Sequence, residues 1–510
     1  MTKNIHPRAL VLRPADDLIK RQPELKRMAM QLAQIYAGNL SLEKVTVVTD
    51  EHLQAMGSAL WTMLEAEQNF EAAVKDAGAA ILPVVIESGA AEVQALPWET
   101  LCHPVHGFIG KNPAFTLTRR VKSDRPLKDD SHLEKGPLRV LLFTSLPENV
   151  QSRLKVEEEQ AEVQAALLPW ISQGLVKLEM PDDGRFITLK NLLRDFQPHV
   201  LFLSGHGSFR NAPHVNQAYG EFFFEDEAGD SAGVRDEEIA KALVGTGVRA
   251  VILSACESGK AASDSLSNGL TQRISAQGIP HVIGMREAIY DIAGIQFARA
   301  LCDELARGER MDAALQAARI AIQTPMKEVI TRRVAGAGAA AELSFGQWCL
   351  PMALSADLLA PLVDWDFTPK PTGAARLLNR SLGRVNMPAR FIGRRAEMRR
   401  YKHDLFQGKL KKLLIIGPGG QGKTSLAGKL ALDLEARGHK VFAWSAAQGE
   451  YENAWSDFVT EELAMSLEKS RRDDYNDYCL QVQDPSKRAG FLYKKISEQF
   501  NGRAALLFDN

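Results

Sequence analysis

The chain has 510 residues, with 62 Lys and Arg against 63 Asp and Glu, a formal net charge of −1. That length accommodates roughly two to four ordinary domains, and the near-neutral balance gives no global reason to expect a nucleic-acid or membrane partner. Hydrophobic residues make up 45% and charged residues 25%, the proportions of a soluble globular protein.

The start, MTKNIHPRALVLRP, lacks the apolar core of a secretory signal, and no apolar run reaches the length of a membrane span. Cys102, Cys256, Cys302, Cys349 and Cys479 show no C-x-x-C spacing. Both features suit free thiols in a reducing cytoplasm.

In chain order, residues 1–125 mix helical stretches with short apolar runs such as AILPVVI. The charged stretch 122–137 reads as a linker. LRVLLFTS (138–145) is a buried-strand run, followed by an acidic helical segment at 155–168. HVLFLSG (199–205) and RAVILSA (249–255) are further strands. A helical stretch near 267–277, the apolar run HVIG (281–284) and two helical stretches to about 324 come next, and VAGAGAAA (334–341) is a small-residue loop. This alternation predicts an α/β fold with a largely parallel sheet flanked by helices over 137–360. Residues 361–388 read as a second linker. KLLIIG (412–417) then opens a different α/β domain over 389–510.

Two of these strands lead into reactive residues. His206 follows HVLFLSG, Cys256 follows RAVILSA, and they lie 50 residues apart. In an open parallel sheet the catalytic crevice lies beyond the carboxyl ends of the strands. A thiol with a pKa near 8.5 is mostly protonated at neutral pH, and an adjacent imidazole can take its proton and later return it to a leaving amine. Backbone N–H groups of Gly207 and Cys256 are the expected donors to an acyl oxyanion. Cys302 and Cys349 sit among apolar neighbours and read as structural. Cys102 and His103 form a metal-like pair with no partner of matching spacing. His281 reads as a core or rim residue.

SGHG followed by LSACESG resembles the active-site motifs of the caspase, legumain, separase and CHAT group of cysteine peptidases. LPWETL (96–101), FIGKNPAFTLTRR, the PLRVLLFTSLPEN run (137–149), GIPHVIGMREAIYD (278–291) and FGQWCLPMAL (345–354) resemble the CHAT branch in particular, over roughly residues 90–360. The resemblance implies a caspase-like fold with His206 as general base and Cys256 as nucleophile. In relatives the residue two before the cysteine lines the pocket for the residue preceding the cut. Here it is Ser254, small and neutral, so the expectation is cleavage without a strict requirement for Arg or Lys.

GPGGQGKT (417–424) fits G-x-x-x-x-G-K-[ST], with an apolar run before it and a helical pattern after it. Gly417, Gly419, Gly420 and Gly422 let backbone N–H groups wrap phosphates, Lys423 reaches the β and γ phosphates, and Thr424 holds Mg²⁺. ALLFDN (505–510) reads as a strand ending in a second Mg²⁺-supporting residue, Asp509. ATP and Mg²⁺ are therefore the expected cofactors. FIGRRAE (391–397) resembles the segment before the P-loop in STAND and AAA+ ATPases, which brings Gly393 and Arg394 near the base. The chain stops at this strand, so the ATPase domain is expected to be the first part of a longer module. Between Arg376 and Lys412 stand twelve Lys or Arg and two acids, Glu397 and Asp404, read as a solvated helix face.

Together these features predict a cysteine endopeptidase gated by a fused ATP switch. The resemblance to CHAT–STAND fusions implies a prokaryotic antiphage or cell-death role, with a protein substrate such as a neighbouring pore-forming effector and self-association through the ATPase module. The alternative is a nucleotide-dependent signalling scaffold with a non-catalytic CHAT domain.

Overall fold

The computed structural model describes residues 9–38, 48, 50–120, 133–150, 156–181, 183–212, 217–255, 269–287, 289, 291–322, 346–370, 394–406, 409–436, 438–446, 455–456 and 458–509. The chain divides into two compact units, Met1–Thr372 and Gly373–Asn510.

In the first unit the elements run β1 (Leu10–Leu12), α1 (Leu18–Arg21), α2 (Pro23–Gly38), α3 (Asp50–Leu64), α4 (Glu67–Ala77), β2 (Leu82–Glu87), α5 (Ala91–Gln94), β3 (Cys102–His103), β4 (Gly107–Phe108) and β5 (Phe115–Arg120). Then come β6 (Leu138–Thr144), α6 (Val156–Ser172), β7 (Val176–Glu179), α7 (Phe186–Asp195), β8 (Val200–Ala212), β9 (Gln217–Glu225), β10 (Ser231–Arg235) and α8 (Asp236–Ala242). The unit closes with β11 (Ala250–Ala255), α9 (Leu270–Ala276), β12 (His281–Met285), α10 (Asp291–Ala306), α11 (Met311–Ala321) and β13 (Pro351–Ser355).

One large sheet has the order β1-β2-β5-β13-β12-β11-β8-β6-β7. Every neighbouring pair is parallel except β12 with β13. The sheet is therefore two parallel halves meeting at one antiparallel contact, and the expected α/β class holds. Its central strands are near-continuous apolar runs because both faces are covered. Val140, Leu142, Val200, Phe202, Ala250 and Ile252 pack on Val163 and Leu167 of α6 and on Phe297 and Leu301 of α10. The alternate residues, Leu141, Phe143, Leu201, Leu203, Val251 and Leu253, pack on Leu189 and Leu193 of α7, Ile239 of α8 and Ile274 of α9. This period-2 division makes the register decisive, since a one-residue slip would exchange the two faces.

The predicted strands 138–145, 199–205, 249–255 and 281–284 appear as β6, β8, β11 and β12. β8, however, does not stop at Gly205. It leaves the main sheet there and continues as an antiparallel arm with β9, pairing His206 with Phe223 and Gly207 with Phe222. Gly205 is needed at the crossing. A Cβ there would lie 2.7 Å from the Phe222 ring and 2.9 Å from the Ser145 carbonyl oxygen. The loop 334–341 lies outside the described residues. Leu362 and Val363, at the start of the predicted 361–388 linker, are buried in the core of the first unit.

His199, just before β8, carries a pH dependence. Burial and then the Arg139 charge push its imidazole down to about 4, while its Nδ1 accepts the Arg139 backbone N–H at 3.1 Å. The unfolded side chain titrates near 6.5, so the unfolded state binds the extra proton between those values. Stability is then fully present above pH 6.5 and is lost as pH falls towards 4, by about 3 kcal/mol in total. His199→Asn, which keeps an acceptor for Arg139, is expected to flatten this slope in urea midpoints compared at about pH 5 and about pH 7.

The second unit pairs β14 (Lys440–Ser445) with β15 (Ala504–Asp509) in parallel. Helices Lys469–Gln481 and Pro485–Gln499 lie between those strands in sequence. Asp484 caps the latter, accepting the Ser486 N–H at 2.9 Å, with proline at the first helical position. The predicted strand 412–417 is not one. Leu413 and Ile415 pack against Met398, Leu426 and Leu430, while Leu414 and Ile416 are 82% exposed. Among the described residues no strand pairs with this segment, and an apolar run becomes a strand only with a ladder partner.

Candidate active site

The candidate site lies where β8 leaves the main sheet beside the carboxyl end of β11, neighbouring parallel strands in the middle of their half of the sheet. Their ladder runs from Ala250 opposite Val200 to Ser254 opposite Ser204 and Ala255 opposite Gly205. The next residue in sequence is His206 on one strand and Cys256 on the other. His206 and Gly207 are half-buried at the point where β8 changes partner. Cys256 lies outside the described residues, as does the segment to residue 268.

Beneath this edge the sheet face changes character. Leu142, Phe202 and Ile252 are fully buried apolar residues on three adjacent strands. One step further along the same face stand Thr144, Ser204 and Ser254, with Thr144 opposite Ser204 and Ser204 opposite Ser254. Two residues from the first turn of α6 meet this hydroxyl row. Glu159, 6% exposed, accepts from Ser204 Oγ through Oε1 and from Ser254 Oγ through Oε2 at 3.1 Å. Gln160 Nε2 donates to Thr144 Oγ1 at 3.1 Å.

Ser254 is thus half-buried, with its hydroxyl bonded to a carboxylate, and its neutrality alone does not set the charge of its surroundings. Sequence reasoning missed Glu159. It stands in the acidic helical segment 155–168, and only the sheet contact separates buried Glu159 from exposed Glu158.

In the second unit the residues of the run GPGGQGKT (417–424) form the turn before a helix and the start of that helix. Gly420 and Gly422 have φ of 76° and 75°, which favours glycine, and added Cβ atoms at Gly419, Gly420 and Gly422 would meet nothing within 4 Å. A Cβ on Gly417 would lie 2.9 Å from Gln421 Oε1. Lys423 and Thr424 open the helix Lys423–Ala436. Lys423 Nζ donates to the Pro418 carbonyl at 2.9 Å, and Thr424 Oγ1 donates to Asp509 Oδ1 at 2.7 Å. Arg394 donates to the Gln421 carbonyl at 2.6 Å, while Gly393 lies outside the described residues. Within the basic run, Lys402 pairs with Asp433 at 2.5 Å.

A family model described as the CHAT domain matches residues 54–446, more than half of the chain. The chain belongs to the CHAT family. No curated protein matches this CHAT chain. Among solved structures it is similar to the separase–securin complex of Saccharomyces cerevisiae, at 13% identity and TM-score 0.33, over 58% of this chain and 17% of that one. It is also similar to the Arg-specific cysteine proteinase gingipain R, at 10% identity and TM-score 0.36, over 70% of this chain and 78% of that one. The complex of pro- and mature domains of Porphyromonas gingivalis RgpB matches at 9% identity and TM-score 0.36, over 68% of this chain and 78% of that one.

The other candidate residues of the CHAT chain have structural partners. Burial pushes the Cys302 thiol well up and the Cys349 thiol up to about 11. It also raises the Cys102 thiol. His281 is buried between Ser355 Oγ, 3.0 Å away, and the Ala360 carbonyl, 2.8 Å away, and burial lowers its pKa. Glu71, His103 and His106 have metal-ligand chemistry and lie close together. But His103 Nδ1 accepts the backbone N–H groups of Val105 and His106 at 3.0 and 3.1 Å. Its proton therefore sits on Nε2, 3.1 Å from Glu67 Oε1, and no lone pair faces a metal. Among the described residues, no helix is long and apolar enough to cross a membrane.

Proposed function

We propose that this CHAT chain is a caspase-like cysteine endopeptidase, with Cys256 as nucleophile and His206 as general base and acid, whose activity is switched by ATP bound to the second unit. The observation that carries the reading is the ladder register. The last matched pair, Gly205 opposite Ala255, immediately precedes His206 and Cys256 in sequence. His206 would take the thiol proton as sulfur attacks the scissile carbonyl, and would return it to the departing amine. Backbone N–H groups of Gly207 and Cys256 would bind the oxyanion, and Ser254 would line the pocket for the residue before the cut.

The P-loop geometry supports nucleotide binding. Gly417, Gly419, Gly420 and Gly422 would leave backbone N–H groups facing phosphates at a helix N-terminus. Lys423 would exchange the Pro418 carbonyl for phosphate oxygens, and the contacting Thr424 and Asp509 would hold Mg²⁺ directly or through water. Mg²⁺ would neutralise phosphate charge there. The reading extends to a cytoplasmic protein, a protein substrate such as a neighbouring pore-forming effector, self-association through the second unit, and a role in antiphage defence or cell death. The cytoplasmic placement rests on the cysteine usage, and the other points rest on the resemblance to CHAT–STAND fusions.

Incubating the full chain with a proteome-derived peptide library, with and without ATP and Mg²⁺, tests the proposal. New termini are expected with nucleotide, without a strict Arg or Lys before the cut. Lys423→Ala removes a charged phosphate contact and is expected to weaken ATP binding by about tenfold or more in calorimetric titration. The same variant should abolish nucleotide-stimulated cleavage. ATP-independent cleavage, or unchanged ATP affinity in this variant, would remove the switch from the proposal.

A further inference from the structure

We infer that Glu159 is a positioning residue for the His206–Cys256 pair, fixing the ends of β8 and β11 relative to each other. The inference rests on the protease reading above and deepens it. Its basis is the row of hydroxyls where the apolar face ends. Ser204 stands two residues before His206 and Ser254 two residues before Cys256, and both donate to the same buried carboxylate.

The placement is specific. The β6–β8 ladder ends at Thr144 opposite Ser204, and the β8–β11 ladder ends one residue beyond Ser204. From there β8 follows β9, and among the described residues its pairing with β11 ends at Gly205 opposite Ala255. A carboxylate that accepts one hydroxyl from each strand ties them together one residue before their last described pair. The neighbouring Gln160–Thr144 bond extends the tie to β6. Burying a carboxylate here is costly compared with continuing the apolar run of Leu142, Phe202 and Ile252. What it gains is fixed geometry at the strand positions that precede the reacting residues in sequence. Reacting groups misplaced by about 1 Å can lose about a hundredfold in rate.

The test is the pH dependence of iodoacetamide alkylation at Cys256 in the full chain, read by peptide mass mapping, with thermal unfolding followed in parallel. Wild-type Cys256 is expected to react with a midpoint below the free-thiol value of about 8.5. Glu159→Ala should raise that midpoint towards the free-thiol value and slow alkylation at neutral pH by about tenfold or more. Glu159→Gln, whose amide can still bridge the two hydroxyls, should restore most of the rate.

A role in stability alone would lower the melting temperature and leave the midpoint in place. A folded Glu159→Ala protein with an unshifted midpoint overturns the inference. Should that variant fail to fold, the Ser204→Ala, Ser254→Ala double variant takes its place, and an unshifted midpoint in it is equally fatal. A wild-type Cys256 that titrates like a free thiol is a different result, because it overturns the protease reading itself.

Discussion

Cys256→Ala is expected to lower kcat/KM for peptide cleavage by at least about 10⁴-fold, with the fold and melting temperature unchanged. The size follows from the chemistry, since alanine offers no atom to form the acyl intermediate and water must attack the peptide directly. The described cysteines of the first unit cannot stand in. Burial raises the thiols of Cys102, Cys302 and Cys349, so they hold little thiolate at neutral pH. His206→Ala is expected to cost a similar amount, because the remaining thiol lacks its proton acceptor. The double variant should be no worse than the worse single one, since residues that act as a unit do not add. Kinetics on one peptide from the library profile, with all three variants, check this. Two losses that multiply in the double variant would mean that His206 and Cys256 act independently.

Glu99→Ala is expected to destabilise the first unit by about 3–5 kcal/mol, measured from urea midpoints. Glu99 is 1% exposed and binds Arg119 through both carboxylate oxygens, at 2.9 Å from Nε and again from Nη2. Burial would raise the Glu99 carboxyl, but the charge and hydrogen bonds of Arg119 outweigh it and hold the pKa below the ordinary value. Arg319, fully buried, lies 4.0 Å away, and burial lowers it to about 10. Arg286 is also lowered by burial. Glu99 therefore balances Arg119 directly and the nearby charge of Arg319 and Arg286, so removing it leaves Arg119 and Arg319 buried without a carboxylate beside them. Arg119→Ala leaves Glu99 with the other two arginines nearby and is expected to cost less. The opposite ranking would show that the arginines are satisfied by carbonyl oxygens alone, such as those of Leu117 and Pro351 that receive Arg319.

That cluster shows what was legible in the sequence and what was not. LPWETL marked the family, and the structure gives it a packing role. Trp98 is buried and donates to the Val93 carbonyl at 2.7 Å, Thr100 donates to the Pro97 carbonyl at 2.7 Å, and Glu99 meets Arg119 of β5. The central strands were legible because strands covered on both faces are plain apolar runs. The run of β8 beyond Gly205 was not, because SGHGSFRN is polar and glycine-rich, and its strand character comes from β9. KLLIIG misled in the opposite direction, since its composition suits a strand but the described residues supply no partner. His206, Gly207, Ser254 and the glycine-rich run 417–424 stood out in the sequence as motif candidates. Glu159 was hidden because its contacts are with two serines that lie 45 and 95 residues away in sequence.

The most direct measurement is active-site labelling of the full chain with a peptidyl acyloxymethyl ketone, an electrophile that requires both a thiolate and an aligned imidazole, followed by mapping of the adduct. The prediction is a single adduct on Cys256 that is lost in His206→Ala. Labelling spread over several cysteines, or an adduct on Cys256 that forms equally fast without His206, would contradict a His206–Cys256 peptidase.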